Sequence, residues 1–314
     1  MKTLYKQSNV FELLSRDLKE NMLNHGYMLI SNDEDYVKAL AQHMAMQILC
    51  AEHTPCHNCS QCIKIEKNEH ADVVIIPHNK KNIVVEDVER IVSESYVLPL
   101  EGERKIYILN NFDLATVQAQ NKLLKTLEEP PKSVVFIITT TNENNVLATI
   151  KSRCKKVVVP LIRDELLENY LKTEYTDTQA ISKVLSFADG NLTTAKRFLS
   201  GEKTMQIKDI CIEIVNKLDK SDKVLYYSSL IQEFSENIED FLNILLDTFK
   251  EVGEDIVKMS ETRYNIHKYN LKIIVEISKV IQTALMKVKA NCNLNAVLDY
   301  LLLGILEVKF RCQK

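Results

Sequence analysis

The sequence predicts an α/β fold with a parallel sheet, followed by a region made of helices alone. Short runs of β-branched and aromatic residues alternate with helical patterns through the first half of the chain, as in a parallel sheet covered by helices. The strand pattern stops at Pro160, and later segments carry apolar residues at the i, i+3, i+4 spacing of amphipathic helices. With 314 residues and 46% hydrophobic content, the chain is long enough for two domains, or three small ones, with well-buried cores.

The predicted strands are short runs rich in Val, Ile, Tyr or Phe. The run VVFII at residues 134–138 is apolar throughout, which predicts a strand buried on both faces. The five predicted strands cover residues 27–31, 72–77, 105–109, 134–138 and 156–159. The helices between them cover residues 35–50, 85–97 and 116–127, and two prolines, Pro130 and Pro131, end the third. The later predicted helices cover residues 163–172, 178–188, 192–199, 238–249, 271–288 and 294–308.

Four cysteines lie close together in the pattern Cys50-x5-Cys56-x2-Cys59-x2-Cys62. Thiolates at this spacing converge on one soft metal ion, and four of them form the usual tetrahedral shell of structural zinc. An iron–sulfur cluster is less favoured because one cysteine lies upstream and no Cys-Pro follows, and disulfides require an oxidising compartment. We therefore expect these four cysteines to hold a structural zinc ion. Three nearby histidines could replace a thiolate, although four thiolates already complete the shell: His53, His57 and His70.

Charge, glycine content and hydropathy exclude several classes of protein. The net charge of -3 is not that of a chain that binds nucleic acid over its whole surface, so DNA contact must come from partner subunits or from a local patch such as Lys80 and Lys81. None of the 6 glycines is spaced as in a Rossmann fingerprint or a Walker A phosphate loop. Polar residues interrupt the longest apolar stretch, residues 294–308, and the N-terminal segment has no apolar export signal. We therefore expect no membrane span and a cytoplasmic location.

Three further segments carry the motifs of one protein family. Residues 120–131 read QNKLLKTLEEPP, residues 149–154 read TIKSRC, and Asn291-x-Asn293-Leu294 opens the last predicted helix. Together they resemble the clamp-loader branch of the AAA+ ATPases, most specifically over residues 100–160. The resemblance implies an AAA+-type α/β domain with an inserted zinc module, a small helical lid domain, and an all-α collar domain for oligomerisation. These parts would cover residues 1–161, with the zinc module at 50–62, then 162–203 and 204–314.

Within that branch, the chain most resembles subunits of the delta-prime type of bacterial DNA polymerase III, because its phosphate-binding loop departs from the pattern of an ATPase. A gapless alignment from Cys50 places residues 30–38 at this loop, with Val37 at the lysine position and Lys38 one place late. Three consecutive carboxylates stand where the family has glycines and would repel a triphosphate. At a separation of ~4 Å and an effective dielectric constant near ~20, each like-charge pair costs about 4 kcal/mol. The three are Asp33, Glu34 and Asp35.

The residues that would hold magnesium and sense the nucleotide are also altered. The resemblance implies acidic residues after the third strand to hold Mg²⁺, but Asn110 and Asn111 stand there. Asp113 is better explained as the cap of the following helix. Threonines occupy the sensor-1 region and the sensor-2 arginine position: Thr140, Thr141 and Thr193. We therefore expect a subunit that takes no ATP and is not itself an enzyme.

The Ser152-Arg153-Cys154 motif contains the arginine to which the resemblance assigns a direct role in ATP hydrolysis. In the family, this arginine projects into the ATP site of the neighbouring subunit as an arginine finger. A guanidinium group suits that role because it is permanently charged and spreads its donors over phosphoryl oxygens. The alternative is a surface arginine at a helix end, favoured by the helix dipole. The motif favours the finger.

The resemblance also implies partners. A subunit of this type assembles with gamma/tau and delta subunits into a hetero-pentamer that loads the sliding clamp onto primer-template DNA, at the replisome near the nucleoid. Two alternatives remain open. An active clamp-loader subunit of the gamma/tau type would bind ATP by itself. A zinc-stapled adaptor would bind nucleic acid without a clamp, with a steep dependence on salt.

Overall fold

The computed structural model describes residues 1–77, 82–258 and 264–312 of the chain. It separates into two compact units, Met1–Lys196 and Arg197–Lys314. The predicted phosphate contact at Lys80 and Lys81 lies outside the described residues.

The first unit is built around a parallel sheet of five strands in the described residues. The strands are β1 (Gly26–Ile30), β2 (Val73–Ile76), β3 (Lys105–Leu109), β4 (Val134–Thr140) and β5 (Lys155–Val158). Their spatial order is β2-β3-β4-β1-β5, so β3, β4 and β1 lie inside the sheet. The predicted parallel α/β fold is confirmed. Because all strands run in one direction, their carboxyl ends share one edge of the sheet and their amino ends share the opposite edge.

The core of this unit lies against β4, whose residues are all buried. This burial agrees with the uninterrupted apolar run that predicted the strand. The rings of Tyr107 and Phe136 stack across β3 and β4 with their centroids 5.5 Å apart. Side chains from the flanking helices complete the same cluster, among them Val88, Ile91, Ala119, Leu123 and Leu127.

Helices cover the sheet, and four of them were not predicted from the sequence: the two N-terminal helices, a short helix that begins inside the cysteine segment, and a four-residue helix before β5. The second begins at Ser8, whose Oγ accepts a hydrogen bond from Phe11 N at 3.2 Å. The helices before β5 are α1 (Lys2–Lys6), α2 (Asn9–Lys19), α3 (Glu34–Leu49), α4 (Ser60–Glu66), α5 (Val85–Ser95), α6 (Val117–Glu128) and α7 (Ala148–Lys151).

The described residues after β5 form helices and short turns, as the sequence predicted. Two helices lie within residues 200–237, where no separate helix bounds were predicted. The helix at Ile238–Lys258 continues past residue 249 because its apolar face continues through the buried Val252. None of the described helices has both the length and the apolar character needed to cross a membrane. The helices are α8 (Asp164–Glu174), α9 (Thr178–Ala188), α10 (Leu192–Leu199), α11 (Glu202–Lys217), α12 (Asp222–Gln232), α13 (Ile238–Lys258), α14 (Leu271–Lys289) and α15 (Leu294–Cys312).

The C-terminal unit buries two lysines among its helices. Lys208 Nζ donates to Glu251 Oε1 at 2.7 Å, so its charge is paired. Lys309 Nζ donates to the carbonyl oxygen of Leu218 at 2.9 Å and lies 4.9 Å from the centroid of the Tyr269 ring. Burial lowers the pKa of Lys309 to about 8. Both ammonium groups bind across helices and therefore fix how the helices of this unit pack.

Candidate functional site

The four cysteines converge on one point. The sulfur atoms of Cys50, Cys56, Cys59 and Cys62 all lie within 4.8 Å of one another, and those of Cys56 and Cys62 are 3.9 Å apart. A tetrahedral ion with four metal–sulfur bonds of about 2.3 Å holds its ligands roughly 3.8 Å apart. All four are free thiols. The predicted set therefore has the donor type and the spacing that fit a structural zinc ion.

Local structure aims these sulfurs inward. Cys50 ends α3 and Cys59 caps the start of α4. Cys59 N donates to Cys56 Sγ at 3.3 Å, and Cys62 N donates to Cys59 Sγ at 3.4 Å. Backbone N–H groups of Asn58 and Cys59 lower the pKa of Cys56 to about 6, whereas burial raises the pKa of Cys62 to about 12. A bound cation would stabilise both as thiolates.

The neighbouring histidines are not part of this group. Within the described residues, only the four cysteines form a cluster of potential metal ligands. His57 Nδ1 lies 3.6 Å from Glu66 Oε1, and His70 Nδ1 accepts a hydrogen bond from Asp72 N at 3.0 Å. His53, His57 and His70 therefore do not replace a thiolate.

Asp33 closes the carboxyl edge of the sheet where the phosphate loop was expected. Its carboxylate is fully buried and caps α3 by accepting from Tyr36 N at 3.2 Å. The same carboxylate accepts from the start of α10, through Thr193 N at 3.1 Å, Thr193 Oγ1 at 2.8 Å, and Leu192 N. From the sequence, Asp33 was expected to be one of three charges facing a nucleotide. That view was wrong for Asp33, which is turned inward and satisfied by four donors.

Thr193 ties the two helix starts together at this carboxylate. Its Oγ1 donates to Asp33 and also accepts from Asp35 N at 2.8 Å. The first-turn N–H groups of a helix are the donors that would otherwise face a bound anion. Here the N–H groups of Tyr36, Leu192 and Thr193 already donate to Asp33, and the N–H group of Asp35 donates to Thr193. Glu34, the third carboxylate, forms an ion pair with Lys38 at 2.5 Å.

The end of β3 is also occupied by contacts within the chain. Asn110 Oδ1 accepts from Thr139 Oγ1 at 3.2 Å, and Asn111 Nδ2 donates to Glu34 Oε1 at 2.7 Å. Asp113 accepts from Thr141 N at 3.3 Å and from Thr141 Oγ1 at 3.2 Å.

The predicted capping role of Asp113 was wrong. Thr116 caps α6, because its Oγ1 accepts from Ala119 N at 3.2 Å. Thr116 lies directly before the helix, whereas Asp113 lies in the preceding turn, Phe112–Leu114. Of the predicted sensor threonines, Thr140 is buried and Thr141 is the partner of Asp113.

Arg153 lies at the opposite, amino edge of the sheet, between α7 and β5. Its side chain is 32% exposed, and Nη2 lies 2.6 Å from Glu128 Oε1. Nη1 donates to Thr149 O at 2.8 Å and to Ser152 Oγ at 3.3 Å. The contact with Thr149 O is the helix-end contact that the alternative interpretation predicted. Sequence reasoning missed Glu128, which lies on another element, 25 residues before Arg153 in the chain.

The other two residues of the motif are structural. Ser152 Oγ donates to Thr149 O at 3.0 Å. Cys154 is buried against Gly26, where an added Cβ would lie 3.1 Å from its Sγ, and burial raises the pKa of its thiol to about 12. A cavity of about 590 Å³ opens beside Arg153 and is also lined by Asn24, His25, Leu127, Glu128, Ser152, Cys154 and Lys155.

Comparisons with known proteins agree with the motifs. The chain is similar to DNA polymerase III subunit gamma of Buchnera aphidicola, with 25% identity over 274 residues that cover 83% of this chain and 75% of the relative. It is similar to subunit delta' of Bacillus subtilis, with 28% identity over 52% of this chain and 51% of the relative. The gamma/tau subunit of Mycoplasma genitalium is 28% identical over 79% of this chain, which spans only 43% of that relative's length.

A solved structure shows the same fold. The gamma subunit-related protein of Thermotoga maritima aligns over 96% of this chain and 100% of its own, with a TM-score of 0.52 and 19% sequence identity. Residues 6–162, half of the chain, match the family described as DNA polymerase III, delta subunit. The chain therefore belongs to this family of clamp-loader subunits.

Proposed function

We propose that the protein is a delta-prime-type subunit of a bacterial clamp loader, which hydrolyses no ATP itself and supplies Arg153 to the ATP site of a neighbouring subunit. The observation that carries this proposal is the buried carboxylate of Asp33, which takes up the N–H groups of two helix starts at the edge where a nucleotide would bind. A subunit that binds no nucleotide at this edge contributes to ATP hydrolysis only through the ATP site of another subunit.

Electrostatics support the loss of nucleotide binding. A phosphate at the start of α3 would find the N–H groups of Tyr36, Leu192 and Thr193 already bound to the carboxylate of Asp33. The amides Asn110 and Asn111 carry no charge to hold Mg²⁺, and the carboxylate of Asp113 binds Thr141. In the part of the chain that the structure describes, these side chains therefore offer a partner to neither the anion nor its metal ion.

Arg153 has the charge and the accessibility that an arginine finger needs. Its guanidinium is permanently charged and stands beside an open cavity at the amino edge of the sheet. An arginine that acts in trans on a transferring phosphoryl group raises the rate by about 10³–10⁵. The residue acts by stabilising charge that develops in the neighbour's site, so it needs no nucleotide site of its own chain.

The partners follow from the family. The subunits would be gamma/tau and delta in a hetero-pentamer, which acts on the sliding clamp and primer-template DNA at the replisome in the cytoplasm. In this assembly, residues 162–203 would form the lid and residues 204–314 the oligomerising collar. Zinc held by the four cysteines would close the 50–62 segment as a structural ion and would not take part in catalysis.

A second candidate is an active subunit of the gamma/tau type, because several similar proteins carry that name. Titration of the isolated chain with Mg·ATP, followed by calorimetry, separates the two. The proposal predicts no saturable binding up to about 1 mM, the upper end of ordinary KM values for enzymes. A gamma/tau subunit from the same source is the positive control. Saturable binding to the isolated chain would favour the active subunit, and failure to co-elute with gamma/tau and delta in size-exclusion chromatography would remove the clamp-loader role.

A further inference from the structure

Glu128 is the group that holds the Arg153 side chain in place. It is the last residue of α6, and its carboxylate reaches across to the turn between α7 and β5. Oε1 lies 2.6 Å from Arg153 Nη2, within the range of a charge-assisted hydrogen bond. The two residues come from different elements of the same unit, so their contact fixes the turn relative to α6.

The guanidinium is held at three points. Nη2 binds Glu128, and Nη1 donates to both Thr149 O and Ser152 Oγ. An arginine has five N–H donors in a rigid plane. Three of them are used by these contacts, which leaves Nε and the second hydrogen of Nη2 for an external anion. The contacts thus orient the plane of the guanidinium without using all of its donors.

The end of the helix that carries the Glu128 carboxylate is held by packing. The two residues before it, Thr126 and Leu127, are buried in the first unit, and Pro130 follows the end of the helix. Isolated ion pairs on exposed surfaces contribute only about 0.2–1 kcal/mol, chiefly because two long side chains must be ordered. Here packing already fixes the helix end, so only the side chain of Glu128, which is 48% exposed, has to be ordered.

We propose that Glu128 is a positioning residue for the arginine finger: it orients the Arg153 guanidinium so that its remaining donors point to the phosphoryl group of the neighbouring subunit. This inference rests on the proposed role of Arg153. Glu128 contacts no reacting atom in this scheme and acts only through Arg153.

The test is a double-mutant cycle in the clamp loader reconstituted with its gamma/tau and delta subunits, the clamp and primed DNA. Glu128→Ala is measured in the native and the Arg153→Ala backgrounds, with Glu129→Ala as the matched control one residue away. We expect Glu128→Ala to lower the maximal DNA-stimulated ATPase rate of the neighbour's site about three- to fivefold, with an unchanged ATP concentration at half-maximal rate. Glu128→Gln keeps an acceptor but no charge and should give a smaller loss.

The Arg153→Ala background decides the mechanism. If Glu128 acts through Arg153, its removal there changes nothing further, and Glu129→Ala changes nothing in either background. An equal loss in both backgrounds, an increase in rate, or no loss in the native background would overturn the proposal. If Arg153→Ala itself leaves the rate unchanged, the finger is wrong. If Arg153→Ala lowers the rate and Glu128→Ala does not, only the positioning role is wrong.

Discussion

The two edges of the parallel sheet have opposite characters. At the carboxyl edge, Asp33 is fully buried and bound by four donors from the starts of α3 and α10. At the amino edge, Arg153 is 32% exposed beside a cavity of about 590 Å³. In open parallel sheets, ligands usually bind outside the carboxyl ends of the strands. At that location the carboxylate of Asp33 binds the chain's own N–H groups, and a charged group is accessible at the other edge.

The two edges of the sheet can change separately. The residues of the carboxyl edge follow β1, β3 and β4, whereas Arg153 precedes β5 and Glu128 precedes β4. Side chains at one edge therefore share no hydrogen bonds with those at the other in the described residues. A change in the hydrogen bonds at the first edge does not by itself disturb the geometry at the second.

The largest expected effect is the loss of stability when zinc is removed from the four cysteines at the amino edge. The cysteine segment contacts the loop before β3 through Lys64, which forms an ion pair with Glu101 at 2.5 Å. We expect one zinc ion per chain by elemental analysis, and none in Cys59→Ser. At free zinc 1,000-fold above its dissociation constant, the ion adds about 4 kcal/mol of stability.

Cys292→Ser is the control for this prediction, because Cys292 is exposed and lies outside the cluster. Hydrogen exchange should increase around residues 50–66 and 100–102 after zinc removal, while the segment around Asp33 stays protected. Equal exchange at both edges would contradict their independence. A zinc content of zero in the native chain, purified without chelator, would remove the metal assignment.

A smaller effect is expected when Asp33 is removed from the carboxyl edge. Asp33→Ala leaves buried donors on Tyr36, Leu192 and Thr193 without their acceptor, which costs about 3 kcal/mol. For a unit of this size, the melting temperature should fall by about 6–12 °C. Formate or sulfate should restore part of this loss, because a small anion can take the place of the carboxylate.

The control is Asp35→Ala, whose side chain is only partly buried and whose backbone N–H still donates to Thr193. We expect it to change the free energy of unfolding by less than about 0.5 kcal/mol. If Asp33→Ala unfolds at the temperature of the native chain, the carboxylate does not hold the two helix starts together.

The smallest effect concerns Asp72, the counterpart of Asp33 at the amino edge. Burial opposes its charge, but backbone N–H groups of Leu100, Glu101 and Gly102 outweigh burial and lower the pKa of Asp72 below its ordinary value of 3.8. The folded state therefore favours the ionised form. The stability that this carboxylate provides is complete above pH 3.8 and is lost as the pH falls through its lower folded pKa.

This dependence is measured as the difference in unfolding free energy between the native chain and Asp72→Asn. We expect a constant difference of about 2 kcal/mol from pH 7 to pH 5, and a decrease below pH 3.8. A difference that grows as the pH falls would show that the loop at residues 100–102 does not depend on the ionised carboxylate.

Much of this organisation was predictable from local sequence. The strand runs, the helical C-terminal region and the cysteine spacing each depend on residues close together in the chain. The contacts that define the two edges do not. Asp33 meets Thr193 from far along the chain, and Glu128 meets Arg153 across a strand, so neither contact has a sequence signature. The cap of α6 was misassigned because both Asp113 and Thr116 are favourable capping residues and only geometry separates them.

The role proposed for Arg153 is to complete the ATP site of another subunit. Single-turnover ATP hydrolysis at the neighbouring site of the reconstituted clamp loader tests it, comparing the native chain with Arg153→Ala and with Arg90→Ala as an exposed arginine control. We expect Arg153→Ala to slow hydrolysis there by about 10³-fold while the complex still assembles. Equal rates in an assembled complex would contradict it.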